Sequence, residues 1–119
     1  MRIKTEKGHV FILPEVFTTI SGYAATHCLF VKGMASRNAT DGFVRLLRRD
    51  NLAKGVKVTF PEGARQVNIE LHIVVEMGVN MPALCEAIIS EVRYIVEKLT
   101  GVSAGSVDIY VDSVMTTNA

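Results

Sequence analysis

Residues 101–105 read Gly-Val-Ser-Ala-Gly, the G-x-S-x-G spacing that seats a nucleophilic serine on a strained elbow in many hydrolases. That elbow needs a strand before the serine, a helix after it, and a histidine to take the hydroxyl proton. Around Ser103 the pattern runs the other way. Helical periodicity stops at Gly101, and strand alternation starts near Val107. His9, His27 and His72 all precede Ser103, so the chain order Ser…Asp/Glu…His fails. The reverse order belongs to scaffolds far larger than 119 residues. The stretch reads as a helix cap followed by a turn, and no residue is assigned a catalytic role.

The remaining chemistry-bearing groups point no more strongly to a reaction. The three histidines fall on separate elements without metal-ligand spacing, and a zinc site from Cys28, Cys85 and a histidine has no sequence motif behind it. Both cysteines sit among apolar neighbours in helical patterns and are expected to be free, buried thiols. Glu70, His72 and Glu76 share one face of an alternating segment, where an acid–base cluster is conceivable but a solvated sheet face is the simpler reading. Walker A, dinucleotide and calcium-loop motifs are missing, and no two glycines have the G-x-x-G spacing of a KH clamp. No metal and no cofactor is expected.

Charge supplies one asymmetry. Net charge is +1, yet residues 37–57 carry Arg37, Arg45, Arg48, Arg49, Lys54 and Lys57 against Asp41 and Asp50. Within this segment Arg45, Arg48, Arg49, Lys54 and Lys57 form the candidate interaction patch, suited to an acidic partner, an anionic lipid surface or nucleic acid. The plainer alternative is a solvated helix face.

The elements that would carry these residues follow from periodicity. The chain's length and its 49% apolar content fit one globular domain over residues 1–119. Its charged start lacks a secretory block, and its longest early uncharged run, 16–31, is short of a spanning helix, so a cytoplasmic protein without an integral membrane segment is expected. Val10 to Leu13 suggest a first strand, and Pro14 opens a helix with Val16, Phe17, Ile20, Ala24, Cys28 and Val31 at helical steps; Gly33 must stop it at the latest, and 29–34 also suits an extended segment. A short helix is expected over 41–49, then a hairpin of strands 55–60 and 67–76 around Pro61 and Gly63. In the second of these strands Val67, Ile69, Leu71, Ile73 and Val75 share one face, with Val74 on the otherwise polar side. Pro82 opens the longest helix, whose core stripe is Leu84, Ile88, Val92, Ile95 and Leu99, widened by Cys85, Ile89 and Val96. A final strand alternates Val107, Ile109 and Val111 with Asp108, Tyr110 and Asp112. The order β-α-(α)-β-β-α-β predicts an α+β two-layer sandwich, with a mixed sheet of about four strands and two long helices on one face. Val74, Tyr110 and an open sheet edge suggest weak self-association.

Several stretches carry a further signal: "ILPEV" and "VKGMAS", then "KGVKV", "VNIELHIVVEMGVNMP" and "VEKLTGVSAGSVDIYV". Together they resemble the alkaline-shock (general-stress) protein family of Gram-positive bacteria over about residues 8–117, and most closely its small single-domain members. The resemblance implies a non-enzymatic interaction or scaffold protein linked to cell-envelope homeostasis or stress. It implies a protein partner, membrane-anchored or a neighbouring fatty-acid kinase-like protein, with self-association and a cytoplasmic position peripheral to the membrane through that partner. No catalytic residues come with it. The alternative, from the charge pattern, is a small nucleic-acid-binding module using residues 37–57; the net charge of +1 argues neither for nor against it, and no RNP-type aromatic motif supports it.

Overall fold

A computed structural model describes residues 1–36, 47 and 49–116. Strands β1 (Arg2–Thr5) and β2 (Gly8–Phe11) form an antiparallel hairpin of their own. Helix α1 (Pro14–Thr26) follows, then β3 (Val31–Met34), a 3-10 helix (Arg49–Gly55), β4 (Val56–Thr59), β5 (Gln66–Glu76), α2 (Met81–Thr100) and β6 (Ser103–Met115). The short helix expected at 41–49 lies outside the described residues, apart from Leu47 and from Arg49, where the 3-10 helix begins.

The main sheet is organised around β5. Its 11 residues are long enough for one edge to pair antiparallel with β4 at residues 68–71 and with β3 at 73–75. The other edge pairs parallel with β6 along its whole length, and a parallel pair requires a crossover, which α2 supplies. The fold is therefore the expected α+β arrangement with a mixed four-stranded sheet. The first strand is placed differently. It spans Gly8–Phe11 rather than 10–13, and it pairs with β1 outside the main sheet. In β1 only Ile3 is buried, so Arg2 to Thr5 offered no alternation strong enough to read.

Core packing follows the β5 pattern. Val67, Ile69, Leu71, Ile73 and Val75 are all buried beneath Phe17 of α1 and Ile88, Val92 and Val96 of α2. Phe17 meets Phe60 edge to face at 5.3 Å, a favoured aromatic geometry. Gly22 keeps its place inside α1 because an added Cβ would lie 3.3 Å from Leu52 Cβ on the 3-10 helix. Asn80 caps α2 by accepting from the Ala83 N–H, and Gly101 ends it in the left-handed conformation at φ 71°.

Two helix expectations are corrected. Helix α1 ends at Thr26, so Cys28 and Val31 leave the helical pattern, because β3 needs residues 31–34 extended for pairing with β5. On α2 the buried line is Ile88, Val92 and Val96, while Leu84 and Ile95 flank it and Leu99 is 63% exposed. Val96 is the last buried residue of the helix.

Candidate interaction surfaces

The outer face of the sheet is polar because alternate residues of three strands face away from the helices. Cross-strand register puts Lys57, Glu70 and Asp108 in one row, Thr59, Asn68 and Ser106 in the next, and His72 beside Tyr110. The two rings stack at 4.7 Å with an interplanar angle of 7°. Tyr110 is 49% exposed and forms the lid of this pair.

A bulge completes the cluster. Between Ile73 and Val74 the β6 partner advances from Val111 to Ser113, which leaves Asp112 as the extra residue. Bulges re-aim side chains, and here the Asp112 carboxylate accepts from His72 Nδ1 at 2.8 Å. On the other side of the ring, His72 Nε2 lies 2.9 Å from Glu70 Oε2. A protonated ring donates to both carboxylates, whereas a neutral ring donates from one nitrogen only. In a catalytic triad one ring nitrogen is held by a carboxylate and the other is left free for the nucleophile. His72 has a carboxylate on each nitrogen.

A shallow depression of about 230 Å³ beside the cluster is lined by Lys57, Asn68, Glu70 and Asp108 among others. Lys57 thus projects over the acidic outer face. Lys54 is exposed at the end of the 3-10 helix, and Arg45 and Arg48 lie outside the described residues. Glu76 is separated from the His72 cluster and instead lines a groove at the end of β5. Val74 is only 2% exposed, so it offers no apolar contact on the outer face, contrary to expectation.

That groove, of about 520 Å³, lies between the turn after α1 and the β5–α2 loop, with Leu29, Phe30, Met77, Val79 and Leu84 in its walls. Leu29 is 75% exposed and Met77 59%. Phe30 adopts a left-handed backbone at φ 72°, a strained region for a residue with a side chain. Its carbonyl accepts from the Glu76 N–H, and the Met77 N–H donates to the Met115 carbonyl, which ties the three chain segments together. Sequence reading missed this site because it assigned Leu29 and Phe30 to a helix or strand. The visible signal was a set of large apolar residues on both sides of the turn-forming Gly78 and Asn80.

Cys28 and Cys85 are free and half-buried, as thiols. Burial raises both thiols above their ordinary 9.0, with Glu91 adding to the rise at Cys28. Ser103 is exposed at the first position of β6, opposite Gln66, with α2 before it and the strand after it. No cluster of three or more His, Cys, Asp or Glu able to hold a metal occurs among the described residues.

Residues 2–116 match the model of the ASP23 family, described by a cell envelope-related function. The chain belongs to that family. It is 33% identical over 119 residues to the uncharacterized protein YloU of Bacillus subtilis, covering 99% of this chain and 98% of the relative. An uncharacterized protein of Streptococcus pyogenes serotype M6 is 31% identical over 115 residues, 96% of this chain and 93% of its own. The uncharacterized protein YqhY of Bacillus subtilis is 31% identical over 107 residues, 90% of this chain and 77% of the relative. No solved structure matches the chain significantly. The alkaline-shock resemblance in the sequence and this family match agree.

Proposed function

We propose that this family member is a non-enzymatic interaction protein of the cell envelope, cytoplasmic and held at the membrane through a membrane-anchored protein partner. One observation carries the choice of binding over catalysis: both ring nitrogens of His72 are engaged by carboxylates, Glu70 and Asp112. A general base needs a free nitrogen lone pair within reach of the proton it removes, whereas a clamped ring under an exposed Tyr110 makes a rigid, polar docking face. The envelope-related description of the family supports the location. No helix among the described residues is long and apolar enough to cross a membrane, so anchoring through a partner fits the chain.

Affinity capture from lysate, with and without detergent-solubilised membrane, tests this reading. Wild type should retain a membrane protein that the Tyr110→Ala, Asp108→Lys variant loses. Equal capture by the folded variant would remove the outer face from the account. The basic segment is tested in the same assay. If Arg45→Glu, Arg48→Glu, Arg49→Glu abolishes recruitment and wild-type recruitment weakens steeply with salt, the cations do the docking instead.

A further inference from the structure

Strand β6 is an edge of the main sheet. It is 13 residues long and pairs with β5 on one side, and no strand lies on its other side among the described residues. At its start the Ala104 N–H donates to Glu97 Oε1 and the Ser106 N–H to Asn68 Oδ1, both at 3.1 Å. Beyond Ser106 no side chain takes a main-chain N–H of β6 among the described residues. In a strand paired on one side only, alternate residues turn both main-chain polar groups away from the neighbour. The usual guards of such an edge are missing, since the sequence SAGSVDIYVDSVM holds no Pro, Lys or Arg.

Residues 106–111 run in unbroken register with β5, between the two bulges. Asp108 and Tyr110 lie on their outer face, with Asp112 just beyond, and Ile109 and Val111 lie on the helix side. One strand inward, Leu71 and Ile73 are fully buried, whereas Ile109 and Val111 in the same two rows are only half-buried. The helix side of the sheet is left partly open at this edge, and one added strand would close it. Charge selects which strand that can be. The outer side of the edge carries Asp108 and Asp112, with Glu70 one strand in, against Lys57 and His72. A second β6 laid along the first would set these carboxylates against each other, which destabilises a strand pair. A strand with cations on that face meets the opposite charge.

We infer that β6 receives, by strand addition, an extended segment of a different protein in which Lys or Arg alternates with apolar residues. Its cations stand beside Asp108 and Asp112 on the outer face, and its apolar side chains beside Ile109 and Val111 on the helix side. This deepens the docking reading of the outer face, on which it rests for the partner's place in the cell. Main-chain hydrogen bonds supply the affinity, and the alternation supplies the selectivity. Pairing over residues 106–111 makes a small contact, so a short peptide binds weakly, in the micromolar to millimolar range.

The probe is a fluorescent eight-residue peptide that alternates valine and lysine. Its anisotropy should rise saturably with added wild-type protein, while a peptide alternating valine and glutamate should not bind. The valine–lysine peptide N-methylated at every residue keeps its charge and side chains but has no N–H to donate, and should lose binding. Asp108 is exposed, so Asp108→Lys should fold, and far-UV circular dichroism verifies this. That variant should bind the valine–lysine peptide about fivefold more weakly and gain binding of the valine–glutamate peptide. Hydrogen exchange should slow at alternate amides of residues 107–111 when the peptide is bound. Peptide binding with no membrane protein captured from lysate would support the edge site and remove only the membrane location. No saturable binding by wild type up to millimolar peptide overturns the proposal, whatever the lysate capture shows. Equal binding of the N-methylated peptide also overturns it, since charge alone would then suffice. So does wild-type assembly in sedimentation that Asp108→Lys abolishes, because a second copy would then occupy the edge.

Discussion

Strand β5 has two faces, and neighbouring residues on it serve different ends. Leu71 is fully buried under the helices, whereas His72, the next residue, is fixed on the outer face by two carboxylates and a stacked tyrosine. The inner face gains its free energy by leaving water, at about 25 cal/mol per Å² of apolar surface. The outer face exchanges water hydrogen bonds for protein ones, a transaction that nets far less. A face whose groups are already partnered adds little to folding and keeps its shape for a partner.

The sharpest way to break this contrast is to truncate both residues. Leu71→Ala should cost about 2–5 kcal/mol, since it leaves a cavity in the centre of the sheet. His72→Ala should cost about 1 kcal/mol, because the carboxylates it leaves behind are 31% and 25% exposed and can rehydrate. Urea titrations giving equal losses would mean that the outer cluster supports the fold as much as the core does.

The thiols sharpen the comparison through reactivity. Burial first, and Glu91 second at Cys28, raises both cysteines, so the folded chain holds them protonated where the unfolded chain ionises. Their contribution to stability is therefore full below the unfolded-state value and is lost as pH rises through the folded-state value. Alkylation by iodoacetamide near pH 8.5 should be several-fold slower in the folded chain than in urea, since thiolate is the nucleophile. Equal rates would mean that Cys28 and Cys85 are solvated.

The smallest effects belong to positions that resemble sites in the sequence alone. Leu99→Ala should lie within about ±0.5 kcal/mol because Leu99 is exposed, despite its place in the apolar stripe. Ser103→Ala should be equally silent in thermal unfolding, and wild type should not hydrolyse activated esters. Ester hydrolysis abolished by this substitution would restore the elbow reading of residues 101–105.

Much of the architecture was legible because it rests on local periods. Five apolar residues at every second position specified the inner face of β5, and Pro82 with Gly101 bracketed α2 to within one residue at either end. The outer cluster was half legible. Glu70 alternates visibly with His72, as Tyr110 does with Asp112, but Asp112 is 40 residues away from His72, and only the pairing of β5 with β6 brings carboxylate and ring together. The apolar groove was not legible, since Leu29 and Phe30 read as continuing elements.

By itself, then, the amino-acid order determined which residues alternate, where helices start and stop, and which family the chain resembles, because periodicity, capping and motif are properties of neighbours. The tertiary structure alone decided where before Gly33 the first helix stops, that Val74 is covered and Leu99 is not, and that the first strand stands apart from the sheet. Those outcomes depend on contacts between segments far apart in the chain. The pairing of β3 with β5 overrides the helical spacing that Val31 shares with Ala24 and Cys28, just as contacts across the fold, and not the stripe on α2, decide which of its residues are buried.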